Sequence, residues 1–137
     1  MRAIKQIIIH CSATPEGRNN TVEDLRRWHK EGNGWDDIGY HYVIHLDGSI
    51  HKGRPDEKQG AHCVGKNSTS IGVCYIGGVA KDGKTAKDTR TKEQKASLIR
   101  LLKHLRLRYP TAVIRGHRDY ARKACPSFDA KSEYKDI

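Results

Sequence analysis

Apolar positions in this chain come in short runs separated by polar punctuation, and the spacing within each run predicts its element. Gln6-Ile-Ile-Ile-His10 is β-branched and predicts a buried strand that presents His10 at its end. The following stretch from Cys11 to Asn20 is rich in turn formers and reads as a loop. Thr21 then caps a helix expected over Val22 to Lys30, with Glu23 and Asp24 in the first turn, where the helix dipole favours acids. Glycines 32 and 34 end it. Aromatic and β-branched residues run from Tyr40 up to Asp47-Gly48, which predicts a hairpin with a two-residue turn and a return strand from Ser49.

A further apolar strand is expected over Ser70 to Ile76, followed by a polar, exposed loop from Ala80 to Arg90. Thr91-Lys-Glu-Gln94 has the form of a capping box. Behind it Leu98, Leu102, Leu105 and Tyr109 share one helical stripe, and Pro110 stops the helix. Ala112 to Arg115 predicts a last short strand. Strands alternate with helices but include a tight hairpin. The expected class is therefore α/β, with a central mixed sheet and helices packed against it. No internal repeat or linker divides residues 1–137, which suit a single domain.

Composition narrows the function. Apolar runs such as Ile7-Ile8-Ile9 are too short to span a bilayer. No signal-peptide pattern precedes the first strand, so synthesis in the cytoplasm is expected. Four cysteines then read as thiols rather than disulfides, with Cys11, Cys63 and Cys74 as small buried groups. A net charge of +10 predicts attraction to polyanions such as nucleic acid, an anionic membrane surface or a cell-wall polymer. The basic residues are spread along the whole chain, and no aromatics interleave them on a strand face, which disfavours specific nucleic-acid recognition.

Candidate chemistry lies in His117-Arg-Asp-Tyr-Ala-Arg-Lys123-Ala-Cys125, far downstream of His10. Two histidines and a cysteine are a three-ligand set for zinc, leaving the fourth tetrahedral position for water or substrate. Arg118, Arg122 and Lys123 surround Cys125 with charge that would favour its thiolate. Ligands so widely split carry little local signal, and eight histidines with four cysteines also meet by chance.

Seven segments in order add what spacing lacks. Ile9-His10-Cys-Ser-Ala-Thr, Gly34-Trp-Asp-Asp-Ile-Gly-Tyr40-His-Tyr-Val-Ile, Asp47-Gly48, Gly53-Arg54-Pro, Gly60-Ala-His62, Asn67-Ser-Thr-Ser-Ile-Gly-Val and Gly116-His117-Arg-Asp with Lys123-Ala-Cys125-Pro-Ser-Phe-Asp run from residue 9 to 129. Together they resemble the zinc-dependent N-acetylmuramoyl-L-alanine amidases of the phage-lysozyme and peptidoglycan-recognition-protein type. The resemblance implies one Zn²⁺ per chain on His10, His117 and Cys125, with Tyr40 and Lys123 as catalytic residues. It implies peptidoglycan as substrate, with action on the cell wall after release or export by another route; a monomer is expected. Cys125 and Lys123 favour the phage-type enzyme over a non-catalytic peptidoglycan-binding module. His62 and Asn67 are candidate substrate contacts on a groove wall, with turn formation as the other reading. His29, His41, His45, His51 and His104 read as structural or exposed, and Trp28 and Trp35 as core or groove-edge packing.

Overall fold

The computed structural model describes residues 2–137. Strands β1 (Gln6–Cys11), β3 (Tyr42–Ile44), β4 (Ile50–Lys52), β5 (Ser70–Tyr75) and β7 (Val113–Gly116) form one sheet in the order β4-β3-β5-β1-β7. β1 is central and parallel to both β5 and β7, β3 is parallel to β5, and β4 pairs antiparallel with β3. The sheet is mixed, as the hairpin required. Two-residue strands β2 (Thr14–Pro15), inside a segment expected to be a loop, and β6 (Gly78–Val79), just before the expected loop from Ala80, make a small second sheet.

Alternation along the central strands sends side chains to two faces. Ile7 and Ile9 of β1 and Ile71, Val73 and Tyr75 of β5 share one buried cluster with Leu98, Leu101, Leu102 and Leu105 of α2 (Lys92–Arg108). The fully buried leucines each contribute about 1.5–3 kcal/mol by leaving water. Val43, Cys74 and Ile76 on the other side pack with Val22 and Leu25 of α1 (Val22–Arg27) and with Ile38. The capping box forms: Thr91 Oγ1 accepts the Gln94 N–H at 3.0 Å, and Gln94 Oε1 accepts the Thr91 N–H at 2.9 Å. Gln94 Nε2 also donates to the carbonyls of Ile44 and Ile76, tying the start of α2 to the sheet.

Several expectations are corrected. β1 extends one residue further, to Cys11. α1 ends at Arg27, and a π-helical turn, Trp28–Gly32, takes the place of its last turn. The hairpin loop has three residues rather than two: the His45 N–H donates to the Ser49 carbonyl at 3.0 Å, leaving Leu46, Asp47 and Gly48 to turn the chain. Gly48 takes φ +86°, the left-handed position such a loop needs, which is why glycine sits there. α2 stops at Arg108, so Tyr109 caps the helix, and its hydroxyl donates to Asp56. Arg90, expected in an exposed loop, is 8% exposed, with its guanidinium held by Asp88 and Glu133.

Candidate active site

The site is assembled at the carboxyl ends of parallel strands, where open α/β sheets place their ligands. His10 lies one residue from the end of β1, and His117 follows the last residue of neighbouring β7. Both therefore emerge at the same sheet end. Cys125 is returned to them by the loop after the 3₁₀ turn His117–Asp119, where the Arg118 N–H donates to the Cys125 carbonyl at 2.8 Å. Two further bonds fasten that loop: the Tyr75 hydroxyl donates to the Pro126 carbonyl at 2.7 Å and the Ser127 hydroxyl to the Gly78 carbonyl at 2.8 Å.

One ligand atom from each of His10, His117 and Cys125 lies within 4.8 Å of the others. His10 Nδ1 is 3.8 Å from Cys125 Sγ, and the His10 and His117 ring centroids are 4.5 Å apart. Bonds of about 2.0–2.3 Å to a tetrahedral ion separate neighbouring ligands by about 3.3–3.8 Å. The three side chains fit zinc with only a small contraction. Burial first, then the charges of His62, His117 and Lys123, hold the His10 imidazole well below its ordinary pKa. Burial, and after it Lys123, also lower the His117 pKa. Both rings therefore stay neutral with a lone pair to give.

The cysteine behaves otherwise than expected. The adjacent Cys11 thiol and burial push the Cys125 thiol up, whereas Arg118, Arg122 and Lys123 were expected to push it down. The guanidinium of Arg118 points instead to Asp129, at 3.9 Å. The backbone N–H of Cys11 donates to Cys125 Sγ at 3.3 Å, a contact that suits a thiolate. A cation beside Sγ would complete that preference.

His62 stands behind His10 as well as lining the groove. Its Nδ1 is 2.8 Å from His10 Nε2 and its Nε2 is 3.2 Å from Ser70 Oγ. With His10 Nδ1 turned to the sulfur, the consistent proton order is His10 Nε2–H to His62 Nδ1, then His62 Nε2–H to Ser70 Oγ. Burial lowers the His62 pKa to about 3, which keeps the chain of bonds neutral. Gly72 makes room for this ring, since a Cβ there would lie 2.8 Å from it. Asn67 Oδ1 accepts the backbone N–H groups of His62 and Cys63, both at 2.9 Å, and so shapes the loop that carries His62.

A groove of about 300 Å³ runs past these residues, with Tyr40, His62, Asn67, His117 and Lys123 in its walls. The Tyr40 ring lies 5.1 Å from the His10 ring, and burial holds its phenol well above the ordinary pKa, so it keeps its proton. Lys123 is exposed and lines the same groove. Sequence reasoning placed His29 among structural or exposed residues, but it too lines the groove, between Trp35 and Tyr40 at ring distances of 5.0 and 5.5 Å. Its Nδ1 accepts the Gly39 N–H at 2.9 Å, which leaves Nε2 as its donor. The π-helical turn changes the helix phase at His29, and periodicity in the sequence carries no signal for that. A larger cleft of about 680 Å³ beside β7 holds none of the predicted site residues.

Residues 1–128 match the N-acetylmuramoyl-L-alanine amidase family. The chain belongs to this family. The amidase is 46% identical over 124 residues to the endolysin of Enterobacteria phage K11, covering 90% of this chain and 81% of that one. To the endolysin of Escherichia phage T7 it is 46% identical over 125 residues, covering 91% and 82%. Among solved structures, the N-acetylmuramoyl-L-alanine amidase LysC from Clostridium intestinale URNW superposes with a TM-score of 0.81 at 29% identity, covering 96% of this amidase and 82% of that chain. Drosophila PGRP-LB gives 0.81 at 26% identity, covering 99% and 82%.

Proposed function

We propose that residues 1–137 form a single zinc-dependent amidase domain that cuts the amide between the lactyl group of N-acetylmuramic acid and L-alanine in peptidoglycan, as a cell-wall lysin. Cleavage of peptidoglycan rests on family membership and on the endolysins at 46% identity. The zinc rests on one observation, the meeting of His10, His117 and Cys125 within 4.8 Å of one another, with His117 also lining the groove.

His10, His117 and Cys125 would hold the ion. When bound, zinc supplies Lewis acidity and a water with a pKa of about 7. The protein's own groups have separate tasks. Tyr40, protonated and beside His10, donates its hydroxyl to the oxygen on which charge accumulates. Lys123 sets an ammonium against the same charge and can supply a proton to the departing amine of L-alanine. His62 and Ser70 fix the orientation of His10 through its Nε2. Asn67 acts through the loop it braces, and a substrate contact from either His62 or Asn67 would come from the groove side of that loop.

The net charge of +10 would draw the enzyme to anionic wall polymers without a further protein partner, as a monomer. Among the described residues no helix is long and apolar enough to cross a membrane. Elemental analysis and mass spectrometry of muropeptides test the reading together. One equivalent of zinc is expected, with stem peptides released bearing a free N-terminal alanine. His10→Ala, His117→Ala and Cys125→Ala should each lose metal and activity. Full zinc in all three variants would discard the ligand set, and uncut glycan–peptide linkages in the parent enzyme would discard the reaction.

A further inference from the structure

Helix α2 has a second face that the core does not use. With Leu98, Leu101, Leu102 and Leu105 turned inward, the outward arc carries Lys92, Lys95, Arg100 and Lys103, all exposed. None of these four forms a salt bridge among the described residues, and Glu93 is the single acid in the helix. Two large aliphatic side chains stand among the cations: Ile99 is 42% exposed and Leu107 is 83% exposed. Ile99, Lys103 and Leu107 recur every four residues, and Lys92 lies two turns before Ile99, so they share one strip of surface.

We propose that this outer face of α2 is a docking surface for an anionic phospholipid bilayer. Lysines and arginines would meet the headgroup charge while Ile99 and Leu107 enter the headgroup–acyl boundary, the pattern of a helix lying in a membrane interface. Charge complementarity selects an anionic partner. The two aliphatics select a lipid surface over a wall polymer or nucleic acid, because a polyanion offers an exposed leucine nothing apolar to enter.

The placement of α2 gives this surface a use. α2 packs on the face of the sheet that receives Ile7 and Ile9. His10 points to the opposite face, as does Gly72, whose Cα faces the His62 ring. Docking through α2 therefore turns the groove away from the bilayer, towards a wall lying above it. Attachment needs no turnover, so it is measurable apart from the amidase chemistry.

The experiment is co-sedimentation of the purified protein with vesicles of phosphatidylglycerol mixed with phosphatidylcholine, against vesicles of phosphatidylcholine alone, at one salt concentration. Binding is expected only to the anionic vesicles. Reversing Lys92, Lys95, Arg100 and Lys103 to Glu should lower partitioning by at least about 100-fold. Ile99→Ser with Leu107→Ser should lower it about 10-fold. Both variants should melt as the parent does and hydrolyse a soluble muropeptide at the parent rate. No binding to anionic vesicles, or undiminished binding after charge reversal, would overturn the proposal. Binding that ignores the serine substitutions would also overturn it, by showing a surface that reads charge alone and suits a polyanion.

Discussion

His10 Nε2 and His62 Nδ1 lie 2.8 Å apart, so the far side of the first candidate ligand ends on a second imidazole rather than on water. That contact fixes which nitrogen of His10 faces Cys125. Removing such an outer partner typically costs 10- to 100-fold in metal affinity. His62→Ala should therefore weaken zinc retention by about that factor, read by competition with a chelator. His62→Gln, whose carbonyl can accept from His10, should recover part of the loss. A raised KM with unchanged zinc affinity would instead make His62 a substrate contact.

Tyr40→Phe and Lys123→Ala should leave zinc stoichiometry intact and still lower turnover by ~100- to 1000-fold, the usual cost of one oxyanion donor. For Tyr40 the test isolates a hydroxyl, because the ring that packs near His10 and His29 is retained. Lys123→Arg keeps the charge and should lose less than Lys123→Ala if electrostatic stabilisation is its main task. Parent-like rates on purified peptidoglycan would remove both residues from the mechanism.

The sequence made legible what is local or periodic. A β-branched run predicted β1 with His10 at its end, and Thr91 with Gln94 predicted the start of α2. Ligands a hundred residues apart were a candidate set by residue type alone and gained support from ordered motifs, since spacing holds no record of which strand ends lie side by side. Contacts between distant segments stayed hidden for the same reason. His62 behind His10, Cys11 against Cys125 and Arg90 between Asp88 and Glu133 each depend on how the sheet and its loops close. His29 lies in the π-helical turn Trp28–Gly32, and nothing in the sequence marks that turn or the side of the helix end it brings to the groove.

Acid should destabilise this protein well before its carboxylates titrate. His41 is fully buried, its Nδ1 accepting the Gly72 N–H at 3.0 Å and its Nε2 lying 2.8 Å from the Lys58 carbonyl. Burial lowers its pKa to about 4, against about 6.5 in the unfolded chain. The unfolded state then binds the proton first as pH falls. Stability present above about pH 6.5 is lost progressively down to about pH 4, by about 3 kcal/mol from this group. Urea unfolding at several pH values between 7.5 and 4.5 should show that slope, and His41→Gln should reduce it by one proton. An unchanged slope in a folded His41→Gln variant would place the proton uptake elsewhere.

Arg90 should matter more for stability than for catalysis. Its guanidinium, 2% exposed at the side chain, is shared between Asp88 and Glu133, donates to the Tyr134 hydroxyl at 2.8 Å and stacks 3.4 Å over the Phe128 ring. It thereby ties the approach to α2 to the C-terminal segment behind the Cys125 loop. Removing one partner of a buried ion pair costs about 3–5 kcal/mol when the other charge is stranded. Here the acids are 33% and 44% exposed at the side chain and can hydrate, so Arg90→Met should cost about 2–3 kcal/mol. Arg90→Lys should recover little of this, because an ammonium cannot reproduce the planar fork or the stacking. The Arg90 hydrogen bonds hold the Glu133 carboxyl below its ordinary pKa of about 4.5. That share of stability is full above about pH 4.5 and fades as pH falls below it, so the gap between parent and Arg90→Met should narrow in acid. Thermal melting of the parent, Arg90→Met and Arg90→Lys at pH 7 and pH 3.5 would decide it. A Lys variant as stable as the parent at pH 7 would reduce Arg90 to a simple charge.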